Sequence, residues 1–166
     1  MNLIVAVDLN WGIGNKNELL YHIPEDMKFF RSVTLGKCVV CGKKTLQSFP
    51  EGKPLPNRKH FVLTHGQLEE NENLKAIHSL EELFSAISQI PEDDVLVIGG
   101  DSVYRQLYPY CKRAFVTKIF ENSKKADTYF PDLSRDESFV LESSSEILTS
   151  KNGIRYQFLT YLNKKK

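Results

Sequence analysis

The sequence predicts an α/β fold: a single domain over residues 1–166 with a central, mostly parallel β-sheet, helices on both faces and an antiparallel C-terminal hairpin. Three observations predict it. Short apolar runs alternate with helical patterns, as in sheets built from strand–helix–strand units. Two of those runs end in glycine at a helix start. Near the end, two further runs flank Lys151-Asn152-Gly153, and Asn-Gly is a strong hairpin signal.

Leu3–Val7 reads as a buried first strand that stops at Asp8, too short for a signal peptide and far too short to span a bilayer. Pro24 opens a helix on which Phe29, Phe30 and Val33 follow Asp26 at helical spacing and share its face. Cys38–Cys41 is the next strand, and a second helix begins at Lys43. His60–Thr64 is the third strand, followed by a polar surface loop, His65–Asn73. Ser79 and Glu82 have capping-box spacing ahead of Leu83, Phe84 and Ile87. Val95–Ile98 runs into Gly99-Gly100 and a fourth helix, and Ala114–Ile119 is the fifth strand. Ile147–Ser150 and Ile154–Phe158 form the closing hairpin, with Ile154, Tyr156, Phe158 and Leu162 expected on one face.

A chain of 166 residues is long enough for a substantial core. Its 41% hydrophobic content and net charge of +1 argue against disorder and against a nucleic-acid or membrane partner. Three cysteines without a secretory leader suit a reducing cytoplasm. Cys38 and Cys41 have C-x-x-C spacing, but three residues apart on a strand they point to opposite faces and cannot clasp one metal. No metal site is expected.

Asp26 carries the clearest chemical signal, because a carboxylate there shares an inward-facing apolar stripe. It must find a hydrogen-bonded or charged partner, or take up a proton. The competing reading is a first-turn aspartate bound to the free N–H groups of its own helix. Two strand-to-helix junctions are suited to anions. Ile98-Gly99-Gly100-Asp101-Ser102 lets a ligand approach the backbone at a helix start, and Gly42-Lys43-Lys44-Thr45 adds two cations and a hydroxyl. Neither is a G-x-G-x-x-G fingerprint or a P-loop. A third strand ends at Thr64-His65, on the edge where parallel sheets bind ligands. Together these ends suit a dinucleotide with an extra phosphate.

Over nearly its whole length the sequence resembles dihydrofolate reductase of the bacterial type. The markers, in order, are Ile4-Val5-Ala6-Val7, Gly12-Ile13-Gly14, Tyr21-His22-Ile23-Pro24-Glu25-Asp26, Gly42-Lys43-Lys44-Thr45, Pro54-Leu55-Pro56-Asn57-Arg58, Ile98-Gly99-Gly100, Val103-Tyr104 and Asp127-Thr128-Tyr129-Phe130-Pro131. The resemblance implies NADPH-dependent reduction of 7,8-dihydrofolate to tetrahydrofolate in one-carbon metabolism, by a cytoplasmic monomer. It implies that Asp26 bonds the pteridine 2-amino group and N3, that Thr117 supports that carboxylate, and that a water protonates N5. Arg58 matches the arginine that pairs with the glutamate-tail carboxylate. Val5, Phe30, Leu55, Ile98 and Tyr104 match the substrate walls, and diaminopyrimidine antifolates would meet Asp26 and Ile98.

The implied NADPH contacts fall in three groups. Ala6, Ile13, Gly14 and Leu19 surround the nicotinamide. Gly42, Lys43, Lys44, Thr45, Leu63, Thr64 and His65 surround the ribose phosphate and pyrophosphate. Ile98, Gly99, Gly100, Asp101, Ser102, Val103 and Tyr104 form the pyrophosphate turn and its helix start. Gly14–Leu20 corresponds to a mobile loop over the nicotinamide, which Asp127 contacts when closed. Four positions depart from the family pattern. Leu20 replaces a common proline, and Tyr21 replaces a tryptophan that faces a bound water. Lys43 replaces a frequent arginine. Asp101 replaces a third glycine and should weaken cofactor binding unless its side chain points away, as it would in a cap of the following helix. Two alternatives remain at this stage: a related reductase for another pteridine or a riboflavin precursor, and a non-catalytic folate- or nucleotide-binding module.

Overall fold

The alternation of apolar side chains along each strand decides the architecture, because one parity of every strand feeds one face of the sheet and the other parity the opposite face. The computed structural model describes all 166 residues. In chain order the elements are β1 (Asn2–Val7), β2 (Gly12–Asn15), β3 (Glu18–Leu19), α1 (Pro24–Thr34), β4 (Cys38–Gly42), α2 (Lys43–Ser48), β5 (Lys59–Leu63) and β6 (Leu74–Ile77). They continue with α3 (Leu80–Ile87), β7 (Val95–Gly99), α4 (Asp101–Leu107), β8 (Arg113–Ile119), β9 (Thr128–Tyr129), β10 (Phe139–Ser144), β11 (Leu148–Thr149) and β12 (Arg155–Asn163).

The main sheet runs β10-β12-β8-β1-β7-β4-β5-β6, with β11 paired to β12. Pairings from β8 across to β6 are parallel, and those of β12 with β8, β10 and β11 are antiparallel. Leu3, Val5, Val40, Phe61, Val95 and Val97 pack on one face against Leu83 of α3 and Val103, Tyr104 and Leu107 of α4. Ile4, Val39, Cys41, Val62, Leu96 and Ile98 pack on the other against Phe29, Phe30 and Val33 of α1 and Leu46 of α2. Cys38 and Cys41 join opposite cores, as their spacing predicts. All three cysteines are free, and burial pushes the Cys41 and Cys111 thiols up to about 12, which keeps them unreactive.

The expected strands and helices are present, and Ser79 caps α3 by accepting the Glu82 amide at 3.1 Å. Three features were not expected from sequence. β6 is a sixth parallel strand at one edge, beginning where the polar loop ends. β10 exposes five of its six residues, and its apolar run, Phe139-Val140-Leu141, is short and does not alternate. β2, β3 and β9 form a separate small sheet. The final strand is also longer than expected. Ile154, Tyr156 and Phe158 gather with Ile23 and Ile119, while Leu159 and Tyr161 feed the opposite core, so both parities are used.

Two long-range ties set the approach of α1 to the sheet. Glu25 accepts Ser150 Oγ at 2.9 Å and the Lys151 amide at 3.1 Å, and Phe29 meets Phe158 with ring centroids 4.5 Å apart. No helix is long and apolar enough to cross a membrane. The two-faced core yields a direct contrast. Leu96→Ala, at 1% exposure, should lower unfolding free energy by about 2–5 kcal/mol. Val140→Ala on the exposed edge should stay within about 0.5 kcal/mol. Urea denaturation followed by circular dichroism measures both.

Candidate active site

Asp26 is the third residue of α1, whose N-cap, Ile23, makes no side-chain cap. Its carboxylate does not turn back on the helix. Thr117 Oγ1, on β8, donates to Asp26 Oδ1 at 2.6 Å. Thr117 is fully buried and stands beside Ala6 in the β1–β8 register. No cation pairs with Asp26. Burial therefore pushes its pKa above the ordinary carboxylate value, while the Thr117 hydroxyl works against the shift. Nearby, Tyr104 Oη donates to the Ile4 carbonyl at 2.7 Å, and burial raises that phenol's pKa.

A cleft of about 1100 Å³ opens along the C-terminal ends of β1, β4, β5, β6 and β7. Every residue expected to meet the cofactor lies on its wall, from Ala6, Ile13, Gly14 and Leu19 at one end to Lys43, Lys44, Thr64 and His65 at the other. Two backbones come close across its floor. A Cβ added at Gly100 would stand 3.3 Å from Thr45 Oγ1, and one at Gly99 would stand 3.2 Å from the Tyr104 ring. Gly99 also has φ +122°, a region that side chains disfavour, and its peptide bond to Gly100 is cis. The Gly66 turn, closed by Thr64 Oγ1, lies 3.8 Å from Lys43 Nζ measured from an added Cβ. A hydroxyl, an ammonium and backbone amides thus converge on one end of the cleft, a set that fits a phosphate.

Asp101 stands at the start of α4. It makes no cap. Its carboxylate instead takes Arg105 Nη2 at 2.5 Å, one turn along α4, so its charge is paired at the helix surface. Sequence reasoning also missed Ile77, His78, Ser79 and Leu80, which line the same cleft. The capping box at Ser79 was legible. Without β6, nothing placed that helix start on the ligand edge.

The residues expected on the substrate side lie only partly on the cleft wall, and Asp26, Thr117, Phe30, Leu55 and Arg58 are outside it. Val5, Ile98 and Tyr104 are shared with its wall, whereas Phe30 and Leu55 pack beside Ile98 on the α1 face. Arg58 is only 8% exposed, donates from Nε to Thr34 Oγ1 at 2.9 Å and from Nη1 to the Pro56 carbonyl at 2.8 Å, and has no acidic partner. A nearly buried guanidinium without a counter-ion has the charge and planar donors that suit a carboxylate. Tyr21 is half-buried with Ala6 against Ile23, Ile119 and Tyr156 and does not line the cleft.

The segment after β1 is folded down over the cleft. Lys16 and Asn17 both have positive φ and close a two-residue turn between β2 and β3. The Lys16 amide donates to Asp127 Oδ2 and Asn17 Nδ2 to the Lys44 carbonyl, each at 2.9 Å. At its root the buried Asp8 accepts the amides of Asn10, Gly12 and Ser123 at 2.8–3.1 Å. No cluster of His, Cys, Asp and Glu is arranged to hold a metal ion.

Comparison with known proteins follows the same pattern. A family model described as dihydrofolate reductase matches residues 1–163. A dihydrofolate reductase of Bacillus subtilis is 34% identical over 164 residues, 99% of this chain and 95% of that one. One from Staphylococcus aureus is 33% identical over 165 residues, 99% of each. Among solved structures, a dihydrofolate reductase from Enterococcus faecalis complexed with NADP(H) and RAB-propyl superposes with a TM-score of 0.83 at 29% identity, over 98% of this chain and 95% of that one. A half-buried aspartate, a phosphate-suited cleft and full-length similarity thus agree, and the chain belongs to the dihydrofolate reductase family.

Proposed function

We propose that the chain reduces 7,8-dihydrofolate to 5,6,7,8-tetrahydrofolate with NADPH, as one domain over residues 1–166 acting as a monomer in the cytoplasm. The observation that carries this reading is the Asp26–Thr117 pair: a half-buried, uncompensated carboxylate held by Thr117, whose strand neighbour Ala6 lines a dinucleotide-sized cleft. When bound, NADPH supplies the hydride that enters at C6. Asp26 accepts hydrogen bonds from the pterin 2-amino group and N3 and so fixes the ring for attack. Its negative charge favours proton delivery to N5 through a water, and Thr117 holds the carboxylate in place. Val5, Phe30, Leu55, Ile98 and Tyr104 wall the pterin and benzoyl parts, and Tyr21 flanks the ring beside Ala6. Arg58 takes the glutamate carboxylate, a role supported by its lack of an internal acid. Diaminopyrimidine antifolates would use the same Asp26 anchor.

At the other end of the cleft, Gly99, Gly100, Ser102 and Val103 offer backbone to the pyrophosphate. Lys43, Lys44, Thr45, Thr64 and His65 hold the extra phosphate that separates NADPH from NADH. Pairing with Arg105 relieves the repulsion Asp101 would otherwise exert there.

The experiment that tests the function is NADPH oxidation with dihydrofolate, followed by absorbance. Asp26→Asn should lose on the order of a hundredfold or more in kcat at neutral pH, with partial recovery in acid, and bind NADPH normally. Full neutral activity would remove Asp26 from the mechanism. Its stability should move the opposite way. The folded-state pKa of Asp26 is raised, so its contribution is fully present below the unfolded value of about 4 and is lost as pH rises through the folded value. Asp26→Asn should therefore melt higher than the parent at about pH 8, with the gap closing towards about pH 4. Separately, Lys43→Ala should narrow the preference for NADPH over NADH about tenfold, read from kcat/KM for the two cofactors. An unchanged ratio would assign the phosphate to other groups.

A further inference from the structure

His60 lies wholly inside the fold, and none of the chemistry above uses it. It stands on β5 at the parity that meets α1 and α2, edge-on to Phe49 with ring centroids 6.1 Å apart. Its Nε2 accepts the Leu55 amide at 3.0 Å. An imidazole nitrogen accepts only when it carries no proton, so the proton sits on Nδ1. There it is buried without a hydrogen-bond partner. Burial pushes the ring's pKa down, and the Arg58 charge acts in the same direction.

An orphaned buried N–H is an arrangement that an apolar side chain would avoid. What the imidazole supplies in return is one acceptor in the right place. Pro54 and Pro56 have no amide hydrogen, so the Leu55 N–H is the only backbone donor from Pro54 to Pro56, and His60 takes it. The Pro56 carbonyl in turn holds Arg58 Nη1 at 2.8 Å. A shift at Leu55 therefore passes through Pro56 to the guanidinium.

We propose that His60 is a positioning residue for the glutamate tail of the substrate: by fixing Leu55 it sets the Pro54–Arg58 segment and the direction in which Arg58 presents its free edge. The inference rests on the reading of Arg58 as the tail receptor. His60 touches no substrate itself. It is a specificity device acting through the loop, and it should discriminate folates with a tail from those without one.

The test compares dihydrofolate with dihydropteroate, which keeps the pterin and benzoyl rings but lacks the glutamate. His60→Leu should raise the KM for dihydrofolate about tenfold and that for dihydropteroate no more than about threefold, with kcat and the KM for NADPH within about twofold. His60→Gln, which can return an acceptor to the Leu55 amide, should stay within about threefold of the parent on both substrates. His60→Met fills similar space without a strong acceptor and replaces the leucine variant if that one does not fold. Equal losses on both substrates, or no loss with dihydrofolate, would overturn the proposal and leave His60 a packing residue. Arg58→Leu is measured alongside. If it leaves the dihydrofolate KM unchanged, the tail-receptor reading fails and takes this proposal with it. If it raises that KM, any failure belongs to His60 alone.

Discussion

A carboxylate half withdrawn from water with one hydroxyl for company is the constraint around which this molecule is arranged. Asp26 receives a single hydrogen bond, from Thr117, and no cation approaches it. Left to itself such a group would turn to solvent or keep its proton. It stays because α1 has little freedom to move: Phe29, Phe30 and Val33 bury its apolar stripe against the sheet. Thr117 is equally fixed, in a strand with parallel and antiparallel neighbours on its two sides. The polar pair is imposed by its surroundings, and the stability that tolerates it comes from the two cores.

The same sheet explains why one cleft serves so many residues distant in sequence. Parallel strands deliver their C-terminal ends to one edge, where each chain must leave the ladder and expose backbone groups before the next helix begins. Glycine at Gly42, Gly99 and Gly100 lets these exits crowd together. An added Cβ at Gly42 would already stand 3.3 Å from Val103, the first turn of a different helix. The cationic and hydroxyl groups need no special loop to converge there, because sheet order brings the exits of β4 and β5 side by side. The antiparallel edge of β12, β10 and β11 closes the other side of the sheet and supports α1.

Legibility in the sequence followed side-chain pattern. The interior strands were readable because both faces are buried and their residues form unbroken apolar runs. The opposed faces of Cys38 and Cys41 followed from strand period alone, and the α3 cap from the Ser79–Glu82 spacing. β10 was not readable because its three apolar residues run straight into Glu142-Ser143-Ser144 without alternation, and β6 because Leu-Lys-Ala-Ile is short and interrupted by a charge. The cofactor-facing positions were found from glycine junctions and family resemblance together. His78 escaped because its position depends on β6. Partnerships between distant residues left no local trace: Arg58 with Thr34, Asp8 with Ser123, and Asp101 with Arg105 in preference to a cap. Nothing in the neighbourhood of His60 announces that its ring takes the Leu55 amide, since a buried imidazole and an exposed one look alike in sequence.

The tie between Glu25 and the tip of the last hairpin has a consequence for the order in which the protein becomes competent. The helix that carries Asp26 leaves the ribosome well before that hairpin, since Ser150 lies 125 positions beyond Glu25. At ordinary synthesis rates that interval is roughly 6–25 s. Throughout it, α1 lacks the hydrogen bonds at its first turn and the ring of Phe158 beneath Phe29. A nascent chain can thus assemble the parallel half of the sheet while its key carboxylate is still free to swing into water. Completion of the site is reserved for β12, which makes catalytic competence a report that synthesis has passed that strand.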